Sequence, residues 1–343
     1  FWLKDQRACL CRTSWEMYCL AVLWASLALA ASVRQYDDCA DEVGDAIGPF
    51  GDPLFLNVTY QGTVLYVLHP ASSGQFPVMI FMHGLHGEFH MYEDTLRFYG
   101  SHGFVVIFPF IEGPEADKGT VTNTDGTYVL KGIDFAMEAN ADQASPLYGA
   151  LDLNNLALNG HSMGATCTIM AAKKSTTIPK VAIAQHPGVC GPFGPPPWPD
   201  TWMESDMTAV RAKMPVVMTT ATNDNAFWPA PQTASHEFGC FTGTKNASAW
   251  GHSFFQFSAD ACAEDGARTP YNDGGHDCPL KVPSPETPVV FTALKLYAQL
   301  GGDETSRCFA KLWGADAGSS QKAETVETAV VVAPGVSMGS LVV

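Results

Sequence analysis

Short, nearly uninterrupted apolar runs occur along the chain at 64–68, 78–82, 104–108, 156–158, 181–184 and 216–220, with a further one at 254–257. Runs of this kind, bounded by Gly, Pro or polar residues, are the pattern of strands covered on both faces, where alternate side chains meet equally apolar surroundings. Segments of helical character lie between most of them, and an amphipathic stretch over 289–300, stopped by Gly301-Gly302, predicts a closing helix. Strands alternating with helices predict an α/β fold, a mainly parallel central sheet with helices on both faces. In such sheets catalytic groups gather at the carboxyl ends of strands, and His83, Ser162, His186 and Asp224 all fall there.

One of those strand ends carries chemistry. Leu156-Ala157-Leu158 runs into Asn159-Gly160-His161-Ser162-Met163-Gly164-Ala165, and small and apolar residues follow to Lys174. An apolar strand that breaks into a helix through Gly-x-Ser-x-Gly is a nucleophile elbow. A serine hydroxyl is a weak nucleophile, so it needs a sharp turn that exposes it to a base and sets backbone amides around the developing oxyanion. Gly160 and Gly164 leave room for strand and helix to approach closely enough to force that turn. Ser162 is therefore the candidate nucleophile.

The remaining roles have candidates in the chain order Ser, acid, His. The run Pro215 to Ala221 leads into the polar turn Thr222-Asn223-Asp224, which makes Asp224 the acid. The base must follow it, and His236, His252 and His276 do. His236 lies in a helix-like segment and reads as structural. His276 is preferred because Gly274-Gly275 and Pro279 place it in a tight turn ahead of the closing helix, while His252 is closer to Asp224 in sequence and stays open. The amide of Met163 comes with the elbow, and the second oxyanion donor is expected in Met82-His83-Gly84-Leu85-His86-Gly87, at the Leu85 amide. Side chains expected to contact substrate are His83, His161 and His186, together with Trp198 and Trp202 from the stiff Pro-rich loop over 191–202. His86 and His90 flank Glu88, but Gly84 and Gly87 predict a loop there, so neither a metal site nor a cofactor is expected.

Composition narrows the partners. A formal charge of −16 over 343 residues argues against nucleic acid, which needs a basic surface to displace counterions, and leaves a small or polymeric ester as the expected partner, with no stable protein partner implied. The uncharged run over 17–33, ending near Ala28-Leu29-Ala30, reads as a signal-peptide core, so export is expected, with a membrane tether as the alternative. Domain organisation follows: a leader over 1–32, one catalytic domain over 33–312 and a low-complexity tail over 313–343 whose apolar end also resembles a lipid-anchor signal. Of the ten cysteines, Cys9, Cys11 and Cys19 fall in the leader; Cys167, on the elbow helix, reads as a free thiol, and Cys39, Cys190, Cys240, Cys262, Cys278 and Cys308 as disulfide partners in an oxidising compartment. The sequons at Asn57 and Asn246 fit the same route.

With these residues in view, the chain resembles the α/β-hydrolase serine esterases of the dienelactone-hydrolase-like group, in particular the cutinases and polyester hydrolases, and more distantly chlorophyllases and platelet-activating-factor acetylhydrolases. The likeness rests on Phe76-Pro77-Val78-Met79-Ile80 leading into His83-Gly84-Leu85, on Ser101-His102-Gly103-Phe104-Val105-Val106, on the stretch from Asp152 to Ala165, and on Gly274-Gly275-His276. It implies an acyl-enzyme mechanism with Ser162 as nucleophile, Asp224 as acid, His276 as base and the amides of Leu85 and Met163 as oxyanion donors, acting on hydrophobic or aromatic esters. Departures are Ala165, where cutinase-like enzymes carry glycine, Met163, where chlorophyllases carry a basic residue, and His186-Pro187, where cutinases keep a tryptophan. Chlorophyllase-, lipase- and phospholipid-acetylhydrolase-like esterases are alternatives, as is a hydrolase fold used only for binding.

Overall fold

The computed structural model describes residues 47–85, 87–111, 124–188, 190, 202–221, 224, 253–257 and 286–295. Its elements are β1 (Leu54–Tyr60), β2 (Thr63–His69), β3 (Phe76–Met82), α1 (Phe89–Ser101), β4 (Val105–Phe110), α2 (Thr127–Ala141), β5 (Leu151–His161), α3 (Met163–Lys174), β6 (Val181–Gln185), α4 (Glu204–Arg211), β7 (Val216–Ala221), β8 (Ser253–Phe257) and α5 (Glu286–Ala293). The strands form one eight-stranded sheet in the order β1-β2-β4-β3-β5-β6-β7-β8. β1 pairs antiparallel with β2, and β2 antiparallel with β4; from β4 to β8 every pairing is parallel. The mainly parallel α/β sheet expected from the apolar runs is thus present, with an antiparallel edge added at β1.

The alternation along each strand divides the core in two. Val78, Ile80 and Met82 of β3 join Leu65, Ile107, Leu158, Val129, Ile133 and Ala165 on the face covered by α2 and α3. Met79 and Phe81, one residue out of phase, join Leu96, Phe104, Phe108, Ile183, Val217 and Phe291 on the face covered by α1 and α5. Burial on both sides is why these strands read as continuous apolar runs. β5 is longer than its apolar stretch because the polar residues ahead of Leu156 still pair with β3, across a register shift between Pro77 and Val78. β1, by contrast, is an edge strand: Leu56, Val58 and Tyr60 pack on the core while Leu54 and Phe55 remain 50% and 43% exposed.

The closing helix expected over 289–300 begins earlier, at Glu286, and buries Val290 and Phe291, the latter against Phe98 and His102 of the α1 end. Residues 296–300, the leader region over 1–32 and the tail over 313–343 lie outside the described residues. Among the described residues no helix is long and apolar enough to cross a membrane. Cys167 is buried and in no disulfide, and burial raises the pKa of its thiol well above the ordinary range, so it stays protonated and inert.

Position within the sheet sets the sensitivity to truncation. Leu158, fully buried at the sheet centre, loses about 2–5 kcal/mol as Leu158→Ala, whereas Leu54→Ala at the exposed edge stays within about 0.5 kcal/mol. Urea unfolding midpoints check this, and equal midpoint shifts for the two variants would contradict the layering.

Candidate active site

Backbone crowding builds the elbow. β5 ends at His161 and α3 begins at Met163, so a single residue must reverse the chain: Ser162 does it at φ 55° and ψ −121°, a conformation L-residues rarely adopt. A Cβ on Gly160 would sit 2.3 Å from the Gly164 carbonyl oxygen, and one on Gly164 would sit 2.1 Å from that of Met82. Only glycine permits both approaches. The strained turn is then held by its own peptide groups. The Ser162 N–H donates to the Gln185 carbonyl (2.9 Å), and the Ser162 carbonyl accepts from Ala165, Thr166 and Gly188.

The loop after β3 is set against this elbow. A Cβ on Gly84 would lie 3.1 Å from the Ser162 Cβ, so the loop backbone passes directly beside the candidate nucleophile. His83 orients that loop from inside. The Ile111 N–H donates to its Nε2 (3.2 Å), which leaves the proton of the neutral ring on Nδ1, 2.7 Å from the Gly84 carbonyl. The same carbonyl accepts from the Gly87 N–H at 3.0 Å. Because the peptide unit is planar and trans, a Gly84 carbonyl turned towards His83 directs the Leu85 N–H the opposite way. Among the described residues neither the Leu85 nor the Met163 amide donates to a protein acceptor. The Met163 amide is also the first N–H of α3, one of those a helix leaves unpaired. An oxyanion requires donor amides beside the serine, and those of Leu85 and Met163 are the candidates.

Asp224 is fully buried beyond the end of β7, with Oδ2 2.9 Å from the Nδ1 of His186. His186 follows β6, itself at positive φ (47°), with its N–H donated to the Thr219 carbonyl. Because β6 and β7 are parallel neighbours, the residues just past their carboxyl ends meet. Residue types alone did not reveal this pairing; strand adjacency could have. Tyr92 is a residue the sequence did not single out: buried on α1, its hydroxyl accepts from the Gly84 N–H (2.9 Å) and lies 2.8 Å from the Nδ1 of His161.

Four of the residues expected to contact substrate are buried and hydrogen-bonded within the protein. His83, His161, His186 and Trp202 are 0%, 3%, 0% and 0% exposed. His83 grips the loop after β3, His161 meets Tyr92, and His186 meets Asp224. Trp202 donates its indole N–H to the Gly188 carbonyl (2.6 Å), and the Gly188 N–H in turn donates to the Ser162 carbonyl. A large side chain with one polar tip is buried where that tip finds an acceptor, and here the acceptor is the loop behind the elbow. Trp198, His252 and His276 lie outside the described residues.

The fold and the elbow now have a counterpart among known families. Residues 56–185 match the chlorophyllase family model. That family belongs to the α/β-hydrolase superfamily and cleaves esters, so the match supports an ester-cleaving hydrolase. It covers under half of the 343 residues, taking in Leu85, Ser162 and Met163 and ending before His186 and Asp224. No curated protein matches the chain.

His83 gives the site a pH signature. Burial lowers its pKa from 6.5 to about 4, against a smaller opposing effect of the bond to Gly84. Below pH 6.5 the unfolded chain takes up a proton that the folded chain refuses, so stability is lost as pH falls from about 6.5 to about 4 and this loss levels off below that, at up to about 3 kcal/mol. His83→Gln is expected to flatten this part of the stability profile in chemical unfolding measured across that range. Parallel profiles for the two proteins would contradict a neutral, buried His83.

Proposed function

We propose that the chain is an exported serine carboxylic-ester hydrolase working through an acyl-enzyme on hydrophobic or aromatic esters. The observation that carries this reading is the packing of the Gly84 backbone against the Ser162 Cβ, with the Leu85 amide next in that loop and the Met163 amide next after Ser162 in the chain. In this mechanism Ser162 Oγ attacks the ester carbonyl while His276 takes its proton, and the two amides hold the oxyanion. His276 then protonates the departing alcohol, and water, activated by the same imidazole, releases the acid. Asp224 holds the imidazolium and its tautomer through the carboxylate oxygen not facing His186.

The sheet favours His276 over His252 as the base. β8 is parallel to β7, with Val217 opposite Ser253 and Ala221 opposite Phe257, so its carboxyl end is level with the end of β7 that leads to Asp224. His276 follows that end in the chain. His252 directly precedes Ser253, the opposite end of the strand.

Export is supported by the uncharged run over 17–33, by the disulfide-bonded state of Cys190, and by the exposure of Asn57 on β1 within its sequon. The substrate is proposed to be cutinase- or polyester-like. A chlorophyllase-type ester is the second reading, favoured by the family match over 56–185. Assays on nitrophenyl esters of rising acyl length, polyester film and chlorophyll separate the two.

The expected results are loss of essentially all ester hydrolysis in Ser162→Ala with the fold retained, a fall in kcat of about 10⁴-fold in His276→Ala, and little change in His252→Ala. Steady-state kinetics with circular dichroism checks them. Full activity in Ser162→Ala would overturn the serine mechanism, and a reversed pattern for the two histidines would move the base to position 252.

A further inference from the structure

We propose that Tyr92 is a positioning residue for the oxyanion hole, tying the oxyanion loop to the strand that carries the nucleophile. The inference rests on the serine-hydrolase reading above and assigns a task to a side chain that the reaction itself does not touch. Tyr92 comes from the buried face of α1, with Met91, Thr95 and Leu96. Its ring packs on Phe81 and Phe108, so the phenol is fixed in direction before it makes any polar contact. The Gly84 N–H donates to Oη at 2.9 Å, and Oη lies 2.8 Å from the Nδ1 of His161, the residue before Ser162. Oη accepts from the Gly84 N–H and shares a second hydrogen bond with the His161 imidazole. One hydroxyl thereby links two segments that no strand pairing joins at this point: the backbone of the loop whose next amide is the Leu85 donor, and the side chain of the residue before the nucleophile.

Gly84 is gripped at both of its peptide groups as a result. His83 holds its carbonyl from one side and Tyr92 its N–H from the other. His83 sets which way the Leu85 amide points. Tyr92 sets how far that amide stands from Ser162, because the bridge ends on His161, one residue from the nucleophile. A hydrogen-bond donor is effective only at the position the oxyanion will occupy, and sub-ångström displacement weakens transition-state binding while leaving ground-state binding nearly intact.

The test is Tyr92→Phe in the full chain, which keeps the ring and removes the bridge. The expected result is a fall in kcat of about 10–100-fold on a small nitrophenyl ester, with KM within about twofold. Affinity for a trifluoromethyl ketone, whose hemiketal mimics the tetrahedral intermediate, is expected to fall in parallel. His161→Leu should reproduce the loss, His161→Gln, whose side-chain amide can donate to or accept from the phenol, should recover part of it, and Tyr92→Phe with His161→Leu should cost no more than either alone. Should Tyr92→Phe fail to fold, the His161 pair carries the comparison. Wild-type kcat in Tyr92→Phe, a loss in kcat without loss of ketone affinity, or additive losses in the double variant would overturn the proposal. Ser162→Ala run alongside separates the two claims: if it is inactive while Tyr92→Phe is at full speed, only the role of Tyr92 falls, and if it is active the serine reading falls with it.

Discussion

Gly164 stands where any side chain would collide with the carbonyl oxygens of Met82 and His83, at 2.1 and 2.4 Å from an added Cβ. That contact between the first turn of α3 and the end of β3 is the constraint from which the site follows. It draws the helix onto the sheet, which leaves one residue to turn the chain and places Ser162 in a backbone conformation that would not persist unsupported. It also sets the end of β3 beside the elbow, so the loop that follows is a neighbour of the serine from its first residue. The hydrogen bonds from Ser162 to Gln185 and from Gly188 to Ser162 then fasten the turn to β6.

The polar side chains around this turn do similar work. His83, His161, His186 and Trp202 are buried; His83 and Trp202 bond to backbone carbonyls, His161 to the Tyr92 hydroxyl and His186 to the Asp224 carboxylate. In the proposed mechanism such a shell orients peptide groups in advance, so that little has to move when charge develops on a substrate oxygen. A neutral His83 suits this role, since a second proton would cost it the N–H bond from Ile111.

Much of the fold was legible in the sequence because parallel strands buried on both faces leave a plain signature. The runs at 78–82, 181–184 and 216–220 became β3, β6 and β7 almost residue for residue. β1 was less visible: it is an edge strand, half-covered, and Phe55 and Asn57 face outward between its packed residues. The elbow could be read because its glycines have a steric reason. The buried histidines were harder. A histidine at a strand end looks the same in sequence whether it faces a ligand or a backbone carbonyl, and the difference depends on neighbours such as Tyr92 and Ile111 that lie far along the chain. Tyr92 left only the trace of a tyrosine on the apolar stripe of α1, and such a stripe ordinarily means packing alone.

The central claim is that Ser162 forms a covalent acyl intermediate beside the amides of Leu85 and Met163. Rapid mixing with a nitrophenyl ester, acid quench during the first turnovers and peptide mass analysis tests it most directly. The account predicts a burst of nitrophenol approaching one equivalent, with the acyl mass on the peptide containing Ser162. An acyl group trapped on any other residue, or steady turnover by a chain whose Ser162 is already capped by a phosphonate, would contradict it.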